Sequence, residues 1–204
     1  MSDRIGSMNV SRETMDRLDI YVALLEKWNP KINLVSRSTL DDIWNRHIVD
    51  SAQLFGLAPE GAKNWVDIGS GGGFPGLVIA ILAKEHAPEQ HITLVESDQR
   101  KCAFLRTVAR ETGCDVTVIS DRVEKIASLN AEILSARALA DLSILFDFAT
   151  LHLSSNGTCL FPKGLSWEKE VEAAQDSWRF EHEAIRSETS QDAVILRING
   201  IEHV

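Results

Sequence analysis

Trp65-Val66-Asp67-Ile68-Gly69-Ser70-Gly71-Gly72-Gly73-Phe74-Pro75-Gly76 is the stretch whose reading decides the fold. A short apolar run closes on an acidic residue, four glycines follow within five positions, and a proline opens an apolar helical pattern. Glycine has no Cβ, so such a loop turns sharply and lets a ligand touch the backbone. Between a strand and a helix, a loop of this kind is a cofactor seat.

Outward from the loop the pattern alternates. Apolar runs fall at Trp65–Ile68, His91–Val95, Val116–Ile119, Ile133–Ala138, Thr158–Phe161 and Ala193–Ile198. Helical patterns lie between them at Pro75–Lys84, Asp98–Thr112, Asp141–Leu153 and Ser166–Asp176. This alternation predicts an α/β fold with a mostly parallel sheet covered on both faces. A further strand over Trp178–Ile185 pairs with the last run as an antiparallel hairpin, because no helical pattern separates them. Upstream, Ser11 caps a helix with Met15, Leu18, Val22 and Leu25 at helical spacing up to Trp28, which Asn29-Pro30 stops. Ser38 or Thr39 caps a second helix through Asp41–His47 toward Leu54. The expected division is an N-terminal helical extension over 1–60 and a main domain over 61–204, packed as one unit.

The totals narrow the class. The chain has 204 residues, 44% hydrophobic and 25% charged, in the range of a soluble globular protein with a sizeable core. No apolar run approaches the ~20 residues needed to cross a bilayer. Met1–Val10 is polar and lacks a signal-peptide core, so a cytoplasmic location is expected. Cys102, Cys114 and Cys159 are widely spaced and read as reduced thiols. No histidine pair has metal-ligand spacing, so no metal is expected. The net charge of −9 argues against binding bare nucleic acid but not against a local basic surface.

Two frames fit the glycines. Gly71-x-Gly73-x-x-Gly76 has the spacing of the dinucleotide fingerprint; Asp67-x-Gly69-x-Gly71-x-Gly73 has that of loops binding nucleoside-type cofactors such as S-adenosylmethionine. Glu96 ends the next apolar run, 20 residues after Gly76, where a carboxylate accepts both ribose hydroxyls of an adenosine. Charge separates the frames. A pyrophosphate favours a neutral or positive helix N-terminus, whereas Asp67 attracts the ammonium and sulfonium of S-adenosylmethionine. The expected cofactor is therefore S-adenosylmethionine.

Several segments together resemble one family. They are Trp28–Leu34, Arg46-His47-Ile48-Val49-Asp50-Ser51, Asp67–Gly76, Glu96-Ser97, Arg122-Val123-Glu124, Ser135-Ala136-Arg137-Ala138 and Phe161-Pro162-Lys163-Gly164. In order and spacing they are similar to the bacterial ribosomal RNA small subunit methyltransferase G family, also called glucose-inhibited division protein B. The loop departs from that pattern at Gly72 and Phe74, where a proline and a leucine are common. The resemblance implies a Rossmann-like methyltransferase fold with a seven-stranded sheet. It implies methyl transfer from S-adenosylmethionine to N7 of a guanine in 16S ribosomal RNA. It also implies cofactor contacts at Gly69, Phe74, Val123, Glu124 and Arg137, beside Asp67, Gly71, Gly73 and Glu96 from the loop reading. The implied partner is 16S ribosomal RNA within the small subunit or its assembly intermediate.

Guanine N7 carries a lone pair and no proton, so transfer by positioning needs no general base. No catalytic acid or base is accordingly assigned. Arg137, Lys163 and His47 are candidates for positioning RNA or cofactor, with Lys163 a candidate phosphate contact. Arg46 and Asp50, four apart, form either a helix-surface salt bridge or part of the site together with His47. The helix Asp98–Thr112 carries Arg100, Lys101, Arg106 and Arg110, either a solvated face or an RNA-facing strip. From Ser97 to Lys125 there are six basic and five acidic residues, so no block-like basic patch is visible. Binding to a pre-folded ribonucleoprotein surface, and not to free RNA, is therefore expected. The residues alone leave two rival readings: a nicotinamide-dependent oxidoreductase, and a non-catalytic RNA-binding or ribosome-assembly module.

Overall fold

The computed structural model describes residues 3–204. The polar N-terminal reading starts at Met1 and Ser2, which lie outside the described residues. Residues 3–10 form a hairpin that their polar composition hides: β1 (Asp3–Ile5) and β2 (Met8–Val10) pair antiparallel, Ile5 opposite Met8. Two apolar side chains, Ile5 and Val10, are buried beneath it, too few to give a strand pattern.

Helix α1 (Arg12–Ile32) starts as expected: the Ser11 hydroxyl accepts the Thr14 N–H at 3.2 Å. It does not stop at Pro30. The proline removes one hydrogen bond, to the carbonyl of exposed Glu26, and the last turn continues to Asn33 at φ 50°. The Asn29 side chain then accepts the N–H groups of Leu34 (2.7 Å) and Val35 (2.9 Å), turning the chain toward the glycine loop. The second expected helix is three pieces: a 3-10 helix over Arg37–Asp42, a π-helical turn over Trp44–Val49 and α2 (Asp50–Gly56). The π turn is marked by the Asp50 N–H bonding the Asn45 carbonyl.

The sheet alternation appears in order. β3 (Asn64–Ile68), α3 (Gly76–His86), β4 (His91–Val95), α4 (Gln99–Thr112), β5 (Val116–Ile119) and β6 (Ala131–Ser135) lead into α5 (Leu142–His152), β7 (Leu153–Lys163), α6 (Trp167–Gln175), β8 (Trp178–Arg186) and β9 (Val194–His203). The seven strands run β5-β4-β3-β6-β7-β9-β8; the first five are parallel, and β9 is antiparallel to both β7 and β8. β6 ends three residues earlier than its apolar run because the chain leaves the sheet at Ala136 and Ala138 sits at φ 51°.

Each face of the sheet has its own core. One buries Trp65, Leu94 and Ile133 against α1, α2, α3 and α4; the other buries Val66, Val95 and Leu134 against α5 and α6. The N-terminal extension belongs to the first. Leu18, Tyr21 and Leu25 of α1 are fully buried and share a cluster with Leu77 of α3 and Phe104 of α4. Truncating Leu18 to Ala should cost about 2–5 kcal/mol, from lost burial plus the cavity left behind. Urea denaturation should show that loss in one transition for the whole chain; a separate early transition for the extension would contradict the shared core.

Candidate functional site

The order β5-β4-β3-β6-β7 reverses direction between β3 and β6, and ligands of such sheets bind outside the strand ends at that point. The register brings the ends level, with Ile68 opposite Val95, Val95 opposite Ile119, and Asp67 opposite Ser135. Above them opens a cavity of about 720 Å³ whose walls include Gly69, Gly71, Phe74, Glu96, Val123, Glu124, His47 and Arg137. The loop crosses it in left-handed conformations. Gly71, at φ 54°, has nothing but the Gly69 carbonyl near its missing Cβ, so its backbone faces open space.

Two loop residues expected at the cofactor lie underneath it. Gly73, at φ 93°, faces inward, where a Cβ would meet Leu77 and the Tyr21 hydroxyl. Asp67 is fully buried. Its carboxylate accepts the Ser135 hydroxyl at 2.7 Å and the Gly76 N–H at 3.2 Å. Ser135 in turn accepts the Trp65 indole N–H at 2.9 Å. Asp67 therefore braces the loop and does not attract the cofactor's charges directly. The reason is strand alternation: Asp67 shares Trp65's face and points at α3. Burial pushes its carboxyl up to about 6, against the opposing pull of the Ser135 and Gly76 hydrogen bonds.

Glu96 presents to the cavity the negative charge that buried Asp67 does not. Its Oε2 accepts the Gly71 N–H at 2.9 Å and its Oε1 the Asp98 N–H at 2.8 Å. The Gly71 N–H, which faces the cavity where a pyrophosphate would lie, thus already meets the Glu96 carboxylate. Each Glu96 oxygen keeps a lone-pair site for a ribose hydroxyl. These residues fit an adenosine cofactor without phosphates: Glu96 can hold the ribose, Gly71 admits close contact, and Val123 and Glu124 line the same cavity.

On the opposite wall, Arg137 joins the extension to the sheet. Its guanidinium lies 3.5 Å from the Asp50 carboxylate, donates to the Arg46 carbonyl at 3.2 Å and to His47 Nδ1 at 2.8 Å, and sits 5.0 Å from the Phe74 ring centre. The Arg46–Asp50 salt bridge is therefore not formed; Asp50 pairs with the more buried arginine, whose charge needs it. His47 stacks on Phe74 at 4.8 Å. Burial, then Arg137 and Arg46, lower its pKa to about 4, so the ring is neutral near pH 7. A guanidinium only donates, so Nδ1 accepts and Nε2–H donates to Thr39 Oγ1 at 2.8 Å. Both ring nitrogens are engaged.

Lys163 is corrected as a phosphate contact. Its side chain is 9% exposed, pairs with Glu170 at 2.7 Å and donates to the Ala140 carbonyl at 3.0 Å. A carboxylate at that distance repels phosphate. On α4, Arg100 pairs with Asp98, Arg110 with Glu111, and Arg106 bonds the Val118 carbonyl. Lys101 alone of the four lines the cavity. The cysteines are free thiols, Cys102 and Cys159 buried and Cys114 half-buried. Among the described residues no group of three or more His, Cys, Asp or Glu is arranged to hold a metal ion.

Tyr21 is the site residue that sequence reasoning missed. Its hydroxyl donates to the Gly72 carbonyl and its ring stacks on Phe74 at 5.1 Å, fixing the loop from below. The available signal was that the chain's single tyrosine stands on the apolar face of α1, where a buried hydroxyl requires a partner. Leu34, Val35, Ser36 and Thr39 also line the cavity, positions to which no site role was assigned from the sequence.

Asp67 makes stability depend on pH. Its pKa is higher folded than unfolded, so its contribution is fully present below pH about 4 and is lost as pH rises through about 6. Thermal denaturation of wild type against Asp67→Asn should reveal this: the variant should lose a slope worth on the order of 3 kcal/mol over that window. An unchanged profile would contradict the buried-carboxyl geometry.

The comparisons with known proteins agree with this geometry. A family model described as rRNA small subunit methyltransferase G matches residues 14–195. Among curated relatives, Ribosomal RNA small subunit methyltransferase G of Ruegeria sp. (strain TM1040) is 57% identical over 206 residues, covering 100% of both chains. The protein of that name from Rhodospirillum centenum is 54% identical, covering 98% of this chain and 90% of its own. Among solved structures, a TehB-like SAM-dependent methyltransferase from Corynebacterium glutamicum aligns with TM-score 0.58 at 12% identity, over 89% of this chain and 98% of its own. At that identity it shows the fold alone. Over nearly its whole length, the chain belongs to the ribosomal RNA small subunit methyltransferase G family.

Proposed function

We propose that this protein transfers the methyl group of S-adenosylmethionine to N7 of a guanine in 16S ribosomal RNA. The observation that carries the reading is the glycine-loop cavity, whose Gly71 N–H is capped by Glu96 while buried Asp67 braces the loop from beneath, in a chain of this family. The cofactor supplies an electrophilic methyl group. Glu96 would hold its ribose, Val123 and Glu124 its base, Gly69 and Gly71 its central part, and Arg137 its carboxylate.

The acceptor chemistry agrees. In the transfer the N7 lone pair forms the bond to carbon while the sulfur–carbon bond breaks and its electron pair returns to sulfur. Positive charge passes to the purine, and no proton moves. A general base is therefore unnecessary, and the one histidine that lines the cavity, His47, is engaged at both nitrogens. Catalysis reduces to aligning N7, carbon and sulfur and excluding water. The nicotinamide-dependent reading is weaker because a pyrophosphate against the loop would meet the Glu96 carboxylate on the Gly71 N–H.

Arg46 and Lys101 line the cavity, and neither lies within ion-pair distance of an acidic group among the described residues. They would meet phosphates of an RNA already folded on the small subunit or its assembly intermediate, since the net charge of −9 gives free RNA little attraction. No described helix is long and apolar enough to cross a membrane. A ribosomal substrate would place the protein in the cytoplasm.

The test is transfer of labelled methyl from S-adenosylmethionine to small ribosomal subunits lacking the modification, followed by mapping of the modified nucleotide. One N7-methylguanine in 16S RNA is expected. Cofactor binding without any transfer to subunits or their precursors would favour the assembly-module reading instead.

A further inference from the structure

A second cavity, of about 330 Å³, opens at the carboxyl ends of β6 and β7 and shares Arg137 and Ala138 with the cofactor cavity. Its walls include the apolar groups Leu145, Pro162 and Ala193, and Lys163 and Glu170 border it. We propose that this cavity seats the acceptor guanine, and that the Lys163–Glu170 pair reads the Watson–Crick edge of that base; this rests on the methyl-transfer reading above.

The polar inventory supports a base more than a phosphate or a sugar. Lys163 Nζ has three donors, of which Glu170 Oε2 (2.7 Å) and the Ala140 carbonyl (3.0 Å) take two. One N–H remains. Glu170 holds Lys163 on Oε2 and a long bond from the Ser166 hydroxyl, 3.4 Å, on Oε1, so lone pairs remain on both oxygens. The pair therefore presents one donor beside a carboxylate acceptor. Guanine's edge is the complement: O6 accepts, and N1–H and the 2-amino group donate. Adenine reverses the polarity, setting its 6-amino group against the ammonium and the N1 lone pair against the carboxylate. A phosphate would face the Glu170 charge. With O6 and N1 held, N7 lies on the neighbouring ring edge beyond O6, free to face the wall shared with the cofactor cavity.

The position suits the role as well. Parallel strands β6 and β7 deliver Arg137 and Lys163 to one end of the sheet, so both cavities are reached from the same side. Gly164 borders the second cavity and has open space where a Cβ would stand, with no left-handed φ to strain a substitution.

Two variants test the proposal in the full-length protein, with S-adenosylmethionine affinity by calorimetry and labelled-methyl transfer to unmodified small ribosomal subunits as readouts. Glu170→Gln removes the carboxylate from the pair; Gly164→Leu narrows the cavity and leaves the pair in place. Both should bind S-adenosylmethionine as wild type does, while kcat/KM for the subunits falls about 10- to 100-fold, the scale of a lost base contact. If Glu170→Gln does not fold, Gly164→Leu decides. A folded variant that transfers at the wild-type rate overturns the proposal, as does loss of cofactor binding in Gly164→Leu. An active wild type with unaffected variants leaves the methyltransferase reading standing; an inactive wild type overturns both.

Discussion

Everything around the cavity depends on one buried carboxylate. Asp67 ties the end of β3 to β6 through Ser135 and to the start of α3 through the Gly76 N–H. Ser135 also holds the Trp65 indole, so β3, β6 and the start of α3 meet at two fully buried side chains. Such a network is costly if left incomplete and rigid when satisfied. Its product is a glycine loop whose outer surface is free backbone and whose inner surface is fixed.

A second set of contacts holds the loop through Phe74. Tyr21, Phe74 and His47 form a continuous stack, and Arg137 lies over Phe74 while bonding His47 and Asp50. Three parts of the chain far apart in sequence are thereby joined: α1, the π-helical turn and the exit from β6. The N-terminal extension is thus part of the site and not an appendage to it. The neutral state of His47 follows from the same crowding, since two arginines and burial disfavour its protonation.

Much of this was legible in the sequence because periodicity records backbone geometry. The strands from Trp65, His91 and Val116 and the helix over 99–112 stand where apolar spacing placed them. The glycines and Glu96 marked the cavity because few residue types tolerate that loop or that contact. Three things were hidden. The direction of Asp67 required strand parity, which its neighbour Trp65 carried but the loop motif outweighed. The partner of Asp50 is Arg137, 87 positions away, and no local spacing can report a contact of that range. Lys163 looked like a free turn lysine because its partner Glu170 stands on the next helix, where it reads as an ordinary surface acid.

The central claim is that the loop accepts an adenosine cofactor and rejects a pyrophosphate, because the Glu96 carboxylate already occupies the Gly71 amide that faces the cavity. Calorimetric titration of the purified protein with S-adenosylmethionine and, separately, with NADH measures this directly. The account predicts saturable one-to-one binding of S-adenosylmethionine and no detectable binding of NADH. Tight NADH binding with no S-adenosylmethionine binding would contradict it.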